Sequence, residues 1–383
     1  MIKINDKELL YHIVEIRRYL HMHPEKGLFE YNTSKYIASY LKNLGIKVIE
    51  GPCKTGVIGF IKGRVGSESI AVRADIDCLE INEQTGADYS SKNHGLMHAC
   101  GHDGHMAAAM GLAKAISSGD LLKNNVVLIF QPAEEGPGGA KPIVESGVLD
   151  KFNIKAFLGM HIFPELEEGR IGCCSGPITA RNGEIDIHII GKPCHGALPH
   201  IGIDSVVISS ELIQAIQTII TRRIDPRENA VITFGKIYGG EVRNMISGSV
   251  TLEGTMRAFS KQTYEIMKNN INRICKGLSL STGSRIDAEI RDMYPEVYND
   301  KNLFNVLMQA AGKDGVDEIK PLMIAEDFSF YRDVAPEIMF LLGSRNERLG
   351  FVHPLHSPQF NFNEEILLKA VKIFYNMIKI LDL

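Results

Sequence analysis

Four short apolar runs in the first 160 positions show no alternation of apolar and polar side chains. They are GVIGFI, SIAVRA, NVVLIF and KAFLGM, and stretches long enough for helices or loops separate them. Unbroken apolar runs of this length are typical of strands that helices cover on both faces. The pattern therefore predicts an α/β domain with a mixed, helix-covered sheet.

Near Gly183 the pattern changes to a strict alternation of polar and apolar residues, which is typical of strands with one face in water. The alternating runs lie at 184–190, 230–237, 250–259 and 285–291. Helical spacing of apolar residues follows the first and the third run, so the order is β-α-β-β-α-β, a split βαβ layout. We predict a ferredoxin-like domain at 183–293, inserted into a larger domain formed by 1–182 and 294–383.

Composition excludes several classes of protein. The 383 residues are 44% hydrophobic and 23% charged, with a formal net charge of −4, so no basic excess is available for nucleic acid. No run approaches the ~18 apolar residues of a membrane span, and the charged N-terminal stretch is expected to be a helix of the mature protein. The seven cysteines are scattered and odd in number, which favours reduced thiols and a cytoplasmic protein.

Cation-binding side chains follow the predicted buried strands. Asp75 and Asp77 come after SIAVRA, Glu134 and Glu135 after NVVLIF, and His161 after KAFLGM. Because ligands collect at the carboxyl ends of strands in an open α/β sheet, we expect these groups to converge.

The stretch ACGHD adds Cys100 and His102, two residues apart. Cysteine, histidine and glutamate together suit Zn²⁺, with Mn²⁺, Co²⁺ or Ni²⁺ as further options. The residues alone also allow a buried thiol beside a helix cap, and a pair of acids in a solvated loop. If the acids are functional, one of Glu134 and Glu135 would bind metal and the other would accept the proton of a water. On spacing alone, His353 and His356 are equal candidates for a ligand.

Seven motifs occur in one order along the chain. They are ADID, MHACGHD, FQPAEE, GMH, PCHGALPH, EGTMR and PLHSPQFNF. In this order they resemble the metal-dependent amidohydrolases related to aminoacylase and glutamate carboxypeptidase. The resemblance covers essentially the whole chain and is strongest to the cysteine-containing branch. That branch includes hippurate hydrolase, indole-acetyl amino-acid hydrolases and N-acetyldiaminopimelate deacetylase.

The resemblance implies two divalent metal ions in the larger, catalytic domain. Cys100 matches the bridging ligand, His102 and His161 complete one position, and Glu135 and His356 complete the other. Glu134 matches the general base that activates a metal-bridged water. Asp77 matches the aspartate behind the site, and we count it among the catalytic residues. Asp75 stands where the wider family has a histidine, and it is not expected to be a ligand.

For the inserted domain the resemblance implies a role as lid and dimerisation domain. His195 matches a histidine that helps to hold the substrate carbonyl oxygen, often in the neighbouring subunit. Asn244 and Arg257 match positions that contact the substrate carboxylate. A homodimer, with a homotetramer as the larger option, is the implied assembly.

The resemblance implies hydrolysis of N-acyl amino acids to a carboxylic acid and a free amino acid. Candidate substrates are N-acetyldiaminopimelate and other N-acetyl or N-benzoyl amino acids. Three alternatives remain open at this point: a dipeptidase or carboxypeptidase of the same family, a hydrolase with Cys100 as nucleophile, and a metal-binding protein without catalytic activity.

Overall fold

A computed structural model describes residues 4–312 and 315–382, and the chain divides into two compact units. The larger unit comprises Met1–Ile178, Val297–Lys320 and Asp327–Leu383, and the smaller comprises Thr179–Glu296 and Pro321–Glu326. The smaller unit therefore extends beyond the predicted 183–293 at both ends and gains a separate short segment. Backbone hydrogen bonds account for this, since the amide of Ala180 donates to the carbonyl of Ile324 at 2.9 Å.

The larger unit is built on one mixed sheet. Its strands are β1 (Lys47–Glu50), β2 (Val57–Ile61), β3 (Ser69–Asp75), β4 (Asn125–Gln131), β5 (Ile154–Glu167), β6 (Ile171–Cys173), β7 (Gly176–Pro177), β14 (Tyr298–Asn299), β15 (Asp317–Glu318) and β16 (Glu337–Arg345). The main path runs β1-β2-β4-β3-β5-β16-β14-β7, with β6 beside β16 and β15 beside β6. The central pairs β4–β3, β3–β5 and β5–β16 are parallel.

Helices cover this sheet. They are α1 (Asp6–Met22), α2 (Tyr31–Asn43), α3 (His102–Ser117), α4 (Ala140–Glu145), α7 (Lys301–Ala311) and α8 (Ile366–Leu381). Every residue of β3 and β4 is buried, as the unbroken apolar runs predict. α3 is buried on nearly all sides, and its small residues permit this: a Cβ on Gly111 would lie 2.7 Å from a side-chain carbon of Ile13 in α1.

The smaller unit is a four-stranded antiparallel sheet with two helices. Its elements are β8 (Arg181–Ile190), β9 (Cys194–His195), α5 (Ser205–Arg222), β10 (Ala230–Gly239), β11 (Met245–Ile246), β12 (Ser249–Ala258), α6 (Lys261–Thr282) and β13 (Arg285–Asp292). The sheet order is β10-β12-β8-β13, and β9 and β11 form a separate ribbon.

The alternating residues of the smaller unit pack as the pattern predicts. Ile185, Ile187 and Ile189 of β8 are fully buried in a core with Leu212 of α5 and Ile271 of α6, while the residues between them in β8 are partly or fully exposed. The predicted fold class, an α/β unit with an inserted ferredoxin-like unit, is confirmed. In the described part of the chain, no helix has the length and apolar character needed to cross a membrane.

Candidate metal centre

Polar side chains from several elements of the larger unit meet at one edge of its sheet. Asp75 is the last residue of β3, and Cys100 and His102 lie where the chain enters α3. Glu134 and Glu135 follow β4. His161 differs from expectation, because it lies within β5 rather than at its end: pairing with β16 continues past His161, which is opposite Leu341, and the strand runs on to Glu167.

Two groups of potential ligands share one sulfur atom. In the first, ligand atoms of Cys100, His102 and His161 all lie within 4.8 Å of one another, and the same holds for Cys100, Glu135 and His356 in the second. The Cys100 Sγ lies 3.5 Å from the Nε2 of His161, and the His356 Nε2 lies 3.1 Å from the Glu135 Oε1. The structure thus brings together the five residues that the resemblance names as ligands.

Glu134 lies beside these groups. One of its carboxylate oxygens is within 4.8 Å of ligand atoms of both His102 and Glu135. Glu134 and Glu135 point from a sharply bent loop, in which Ala133 has a left-handed φ of 58°. The buried Glu30 accepts a hydrogen bond from the Ala133 amide at 3.0 Å, and the Asp77 Oδ2 accepts one from the Glu135 amide at 3.0 Å. The position of the acidic pair is therefore fixed from both sides.

Two histidines are oriented by main-chain carbonyl groups. The Nδ1 of His102 donates to the Asp77 carbonyl oxygen at 3.0 Å, and the Nδ1 of His161 donates to the carbonyl oxygen of Ile162 at 2.7 Å. Each Nε2 is thereby turned toward the site, where the neutral ring would offer its lone pair to a bound cation, the arrangement that metal-binding histidines use. The His102 Nε2 is buried and, among the described residues, has no hydrogen-bond partner.

Asp75 is held by its own partners. Its two carboxylate oxygens contact the Arg73 Nη1 and the His105 Nδ1, each at 2.6 Å. The His105 Nε2 accepts a hydrogen bond from the Ile162 amide at 3.0 Å, so the ring hydrogen is on Nδ1. Burial lowers the pKa of His105 to about 4 against the opposing effect of Asp75, and the ring is neutral. His105 thus connects α3, β3 and β5 behind the ligands, and its spacing of three from His102 is the one sequence signal for this role.

The site concentrates negative charge in a buried place. Burial, followed by the charges of Glu135 and Glu134, raises the pKa of the Cys100 thiol well above its usual range. Burial opposes ionisation of Glu135, but the hydrogen bond to His356 and the charge of His102 hold its pKa at about 2. Burial also opposes the charge on His102, yet Asp75 and Asp77 raise the pKa of its ring to about 10. Positive charge is therefore strongly favoured among these groups.

Asp327 is a structural anchor that sequence reasoning missed. It is fully buried, and its carboxylate accepts hydrogen bonds from Arg73 Nη2 at 2.9 Å and from the amides of Gly139 and Ala140 at 2.8 and 3.0 Å. It thereby joins the segment after the acidic loop to β3. Because 188 positions separate Asp327 from Gly139, no local pattern could have found this contact.

The remaining candidates lie in the smaller unit. His195 is exposed and pairs with Met245 in the β9–β11 ribbon, and the amide of Gly196 donates to the carbonyl oxygen of Asn244 at 2.8 Å. His195 and Asn244 are thus close neighbours. Arg257 is a separate feature on β12, where its Nη1 donates to the Met323 carbonyl oxygen at 2.6 Å.

Arg257 lines an open cavity of about 670 Å³ on the polar face of the four-stranded sheet. Its neighbours there are already paired: Arg291 contacts Glu184 and Asp186, and Lys236 contacts Glu253. In the described part of the chain, Arg257 forms no ion pair, and burial lowers the pKa of its guanidinium. Among the described residues that line this cavity, Arg257 is consequently the cation whose charge no carboxylate balances.

The helix-covered sheet, the ligand cluster at its edge and the inserted ferredoxin-like unit together define a metal-dependent amidohydrolase. Comparison with known families agrees with this class: the model of peptidase family M20/M25/M40 matches residues 71–380. The chain belongs to this family, which confirms the relationship that the seven motifs indicate.

Individual relatives are similar over nearly the whole chain. An N-acetyldiaminopimelate deacetylase of Bacillus cytotoxicus is 38% identical over 370 residues, which cover 96% of this chain and 97% of the relative. An N-acetyl-L-cysteine deacetylase of Bacillus subtilis is 36% identical over 379 residues, covering 98% and 89%. The crystal structure of the Bacillus subtilis YXEP protein, described as a dinuclear metal-binding peptidase of the M20 family, has a TM-score of 0.86 and 33% identity, with coverage of 98% and 99%.

Proposed function

We propose that this protein hydrolyses the amide bond of N-acyl amino acids and releases a carboxylic acid and a free amino acid. The observation that carries the proposal is the pair of ligand groups joined at Cys100, with Glu134 within 4.8 Å of His102 and Glu135. A protein that only stored metal would gain nothing from this additional carboxylate. Two relatives whose names are those of deacetylases support the same reaction class.

The residues fit two divalent cations. Cys100, His102 and His161 would hold one ion, and Cys100, Glu135 and His356 the other, with Zn²⁺ or Mn²⁺ the best match to sulfur, nitrogen and oxygen donors and Co²⁺ or Ni²⁺ further options. The buried Nε2 of His102 has no hydrogen-bond partner among the described residues, and the pKa of the Cys100 thiol is raised; both observations suit a cation at this place. When bound, such ions lower the pKa of a water and polarise a carbonyl group.

The chain supplies the proton transfers and the orientation. Glu134 accepts the proton of the attacking water and later delivers it to the departing amine, which leaves as a neutral group. Asp77 fixes the tautomer of His102 through its carbonyl oxygen and holds the acidic loop through its carboxylate. His195, exposed on its ribbon, donates a hydrogen bond to the carbonyl oxygen as that oxygen gains negative charge.

Cys100 is a poor candidate for the nucleophile. The thiolate is the reactive form of cysteine, and burial with two neighbouring carboxylates raises the pKa of this thiol well above its usual range. A thiol nucleophile would have the opposite environment. The cysteine-hydrolase alternative is therefore disfavoured by the local electrostatics.

The substrate class is an acylated amino acid with a free carboxylate. The uncompensated charge of Arg257, together with the amide side chain of Asn244, suits that carboxylate. We propose N-acetyl amino acids first, among them N-acetyldiaminopimelate, because the names of two relatives specify acetyl groups.

We propose a cytoplasmic homodimer. All seven cysteines are free thiols, which suits a reducing compartment. β10 is an edge strand with exposed apolar side chains, including Ile237 and Tyr238, and Met245 on the ribbon is exposed as well. Edges of this kind favour pairing with a second copy. Light scattering tests this assembly, and a monomer that keeps full activity at high dilution would exclude a role for His195 in the partner's site.

The proposed function is tested by metal analysis together with hydrolysis of N-acetyl, N-benzoyl and dipeptide substrates, before and after chelation. We expect about two ions per chain, loss of activity on chelation, recovery with Mn²⁺ or Zn²⁺, and a preference for N-acetyl amino acids. Activity that survives chelation would contradict the metal mechanism. Preferential cleavage of dipeptides would identify a peptidase, and bound metal without turnover would identify a binding protein.

A further inference from the structure

A buried arginine behind the metal centre contacts two segments that carry proposed ligands. Arg17 of α1 is 1% exposed. Its Nε donates to the Asp103 Oδ2 at 2.7 Å, its Nη2 to the Asn361 Oδ1 at 2.9 Å, and its Nη1 to the Glu364 Oε1 at 3.3 Å. One rigid guanidinium plane therefore spans three acceptors from two segments that are far apart in sequence, Asp103 in one and Asn361 and Glu364 in the other.

These acceptors are close in the chain to the ligands. Asp103 follows His102 directly in the first turn of α3, and Asn361 lies five positions after His356. A backbone hydrogen bond also joins the same two segments: the His356 amide donates to the Ala99 carbonyl oxygen at 2.9 Å. Arg17 gives this junction a second, side-chain connection.

The surroundings hold the guanidinium in place. It lies over the rings of Phe362 and Tyr89, at 4.4 and 4.9 Å from their centroids. His21, also fully buried, contacts the same Asp103 oxygen through its Nδ1 at 2.8 Å. Desolvating such charges opposes much of their attraction, so a buried cluster of this kind adds little net stability over apolar packing. The cluster instead fixes the relative positions of Asp103 and Asn361.

The two groups of ligands differ in how they are oriented. His102 and His161 each have their own hydrogen bond to a carbonyl oxygen. The His356 side chain is 53% exposed, and its backbone has a left-handed φ of 64°. The placement of His356 thus depends on the segment around it, which includes Asn361.

We propose that Arg17 is a positioning residue that sets the distance between the His102 segment and the His356 segment. It thereby determines the affinity of the cation position formed by Cys100, Glu135 and His356. The inference rests on the ligand assignments proposed above.

The test is the substitution Arg17→Lys, because an ammonium group is a point donor and cannot span all three acceptors. Titration calorimetry of Mn²⁺ into the metal-free protein measures the two binding events, and denaturant unfolding of the same metal-free protein measures its stability. We expect one of the two events to lose about 10- to 100-fold in affinity, as for other residues that orient ligands. The other event should change less than about threefold.

Arg18→Lys is the matched control. Arg18 also binds Glu364, at 2.6 Å, but its side chain is about half exposed. Unlike Arg17, it pairs with Glu364 and not with Asp103, which adjoins the ligand His102. We expect this variant to keep both affinities. If Arg17→Lys retains both affinities, weakens both equally, or matches Arg18→Lys, the proposal is wrong.

Two further outcomes, a failed ligand assignment and a variant that does not fold, can be told apart from a failure of the proposal. If the wild-type protein binds fewer than two ions, the ligand assignment fails and not only the role of Arg17. If Arg17→Lys does not fold, Asn361→Ala replaces it, since this change removes one arm and keeps the contact of Arg17 with Asp103. The same selective loss is expected, and its absence would overturn the proposal.

Discussion

The ligand cluster of the larger unit and the polar sheet face of the smaller unit both concentrate charge, but they hold it differently. Asp75, at the cluster, is fully buried and bound by Arg73 and His105. Arg291, on the sheet face, remains 39% exposed although it contacts Glu184 and Asp186. Buried pairs keep one geometry, whereas exposed pairs are screened by water and salt and can rearrange.

The difference indicates a division of tasks. If the proposed function holds, proton transfer needs atoms held in a fixed geometry, and the buried cluster suits that task. Binding of a substrate carboxylate tolerates adjustment, and the open face suits that task because Arg257, among the described residues, has no ion-pair partner there. Variants in the ligand cluster should therefore lower kcat, whereas variants on the sheet face should raise KM.

The largest effect is expected at the cluster. Glu134→Gln keeps the size of the side chain but removes the proton acceptor, so kcat should fall by about 10²- to 10⁴-fold or more while bound metal remains. Steady-state kinetics and elemental analysis measure the two quantities. Glu135→Gln is the control and should lose metal. Near-normal turnover of Glu134→Gln would remove Glu134 from its proposed role.

A smaller effect, in KM rather than kcat, is expected on the sheet face. Arg257→Met removes a charged hydrogen-bond donor, and a loss of about 1.5–3 kcal/mol corresponds to a KM about 10- to 100-fold higher. The same change at Arg291, whose charge is already paired, should alter KM little. Equal effects of the two variants would show that the face attracts substrate through its overall charge.

The smallest effect concerns stability against pH near the cluster. Burial opposes ionisation of Glu83, but hydrogen bonds from His21, Thr85 and the Ser91 amide lower its pKa to about 2, compared with ~4.3 in an unfolded chain. A lowered pKa stabilises the fold above the unfolded value, and this contribution is lost as the pH falls from about 5 to 2. Urea unfolding of the metal-free protein should show about 1–3 kcal/mol of such loss.

Glu83→Gln serves as the comparison for that measurement. It should be less stable at pH 7 and should lose less stability on acidification than the wild type. Parallel stability curves for the two proteins would mean that the contacts of Glu83 do not favour its charged form.

Much of the fold follows from local patterns. The unbroken runs of β3 and β4 and the alternation of β8 depend only on which faces are buried, so periodicity identifies them. The full length of β5 could not be predicted, because His161 and the residues after it stay in the strand through pairing with β16. The short segment at 321–326 joins the smaller unit by the same kind of distant pairing.

The candidate site shows the same limit. The motifs locate Cys100, Glu134 and His356, since the chemistry of their side chains is visible in sequence. The residues that hold them in place are not visible in this way. Glu30, which binds the amide of Ala133, and Asp327 act across 103 and 188 positions, and only the folded chain brings these groups together.

The carbonyl groups that orient His102 and His161 have an evolutionary consequence. Every amino acid carries a main-chain carbonyl, so replacement of the residue at position 162 leaves the acceptor for the His161 ring in place. The carbonyl of position 77 is retained in the same way, whatever happens to its side chain. Substitutions at positions 77 and 162 therefore leave the orientation of these two imidazoles unchanged as long as the backbone keeps its path.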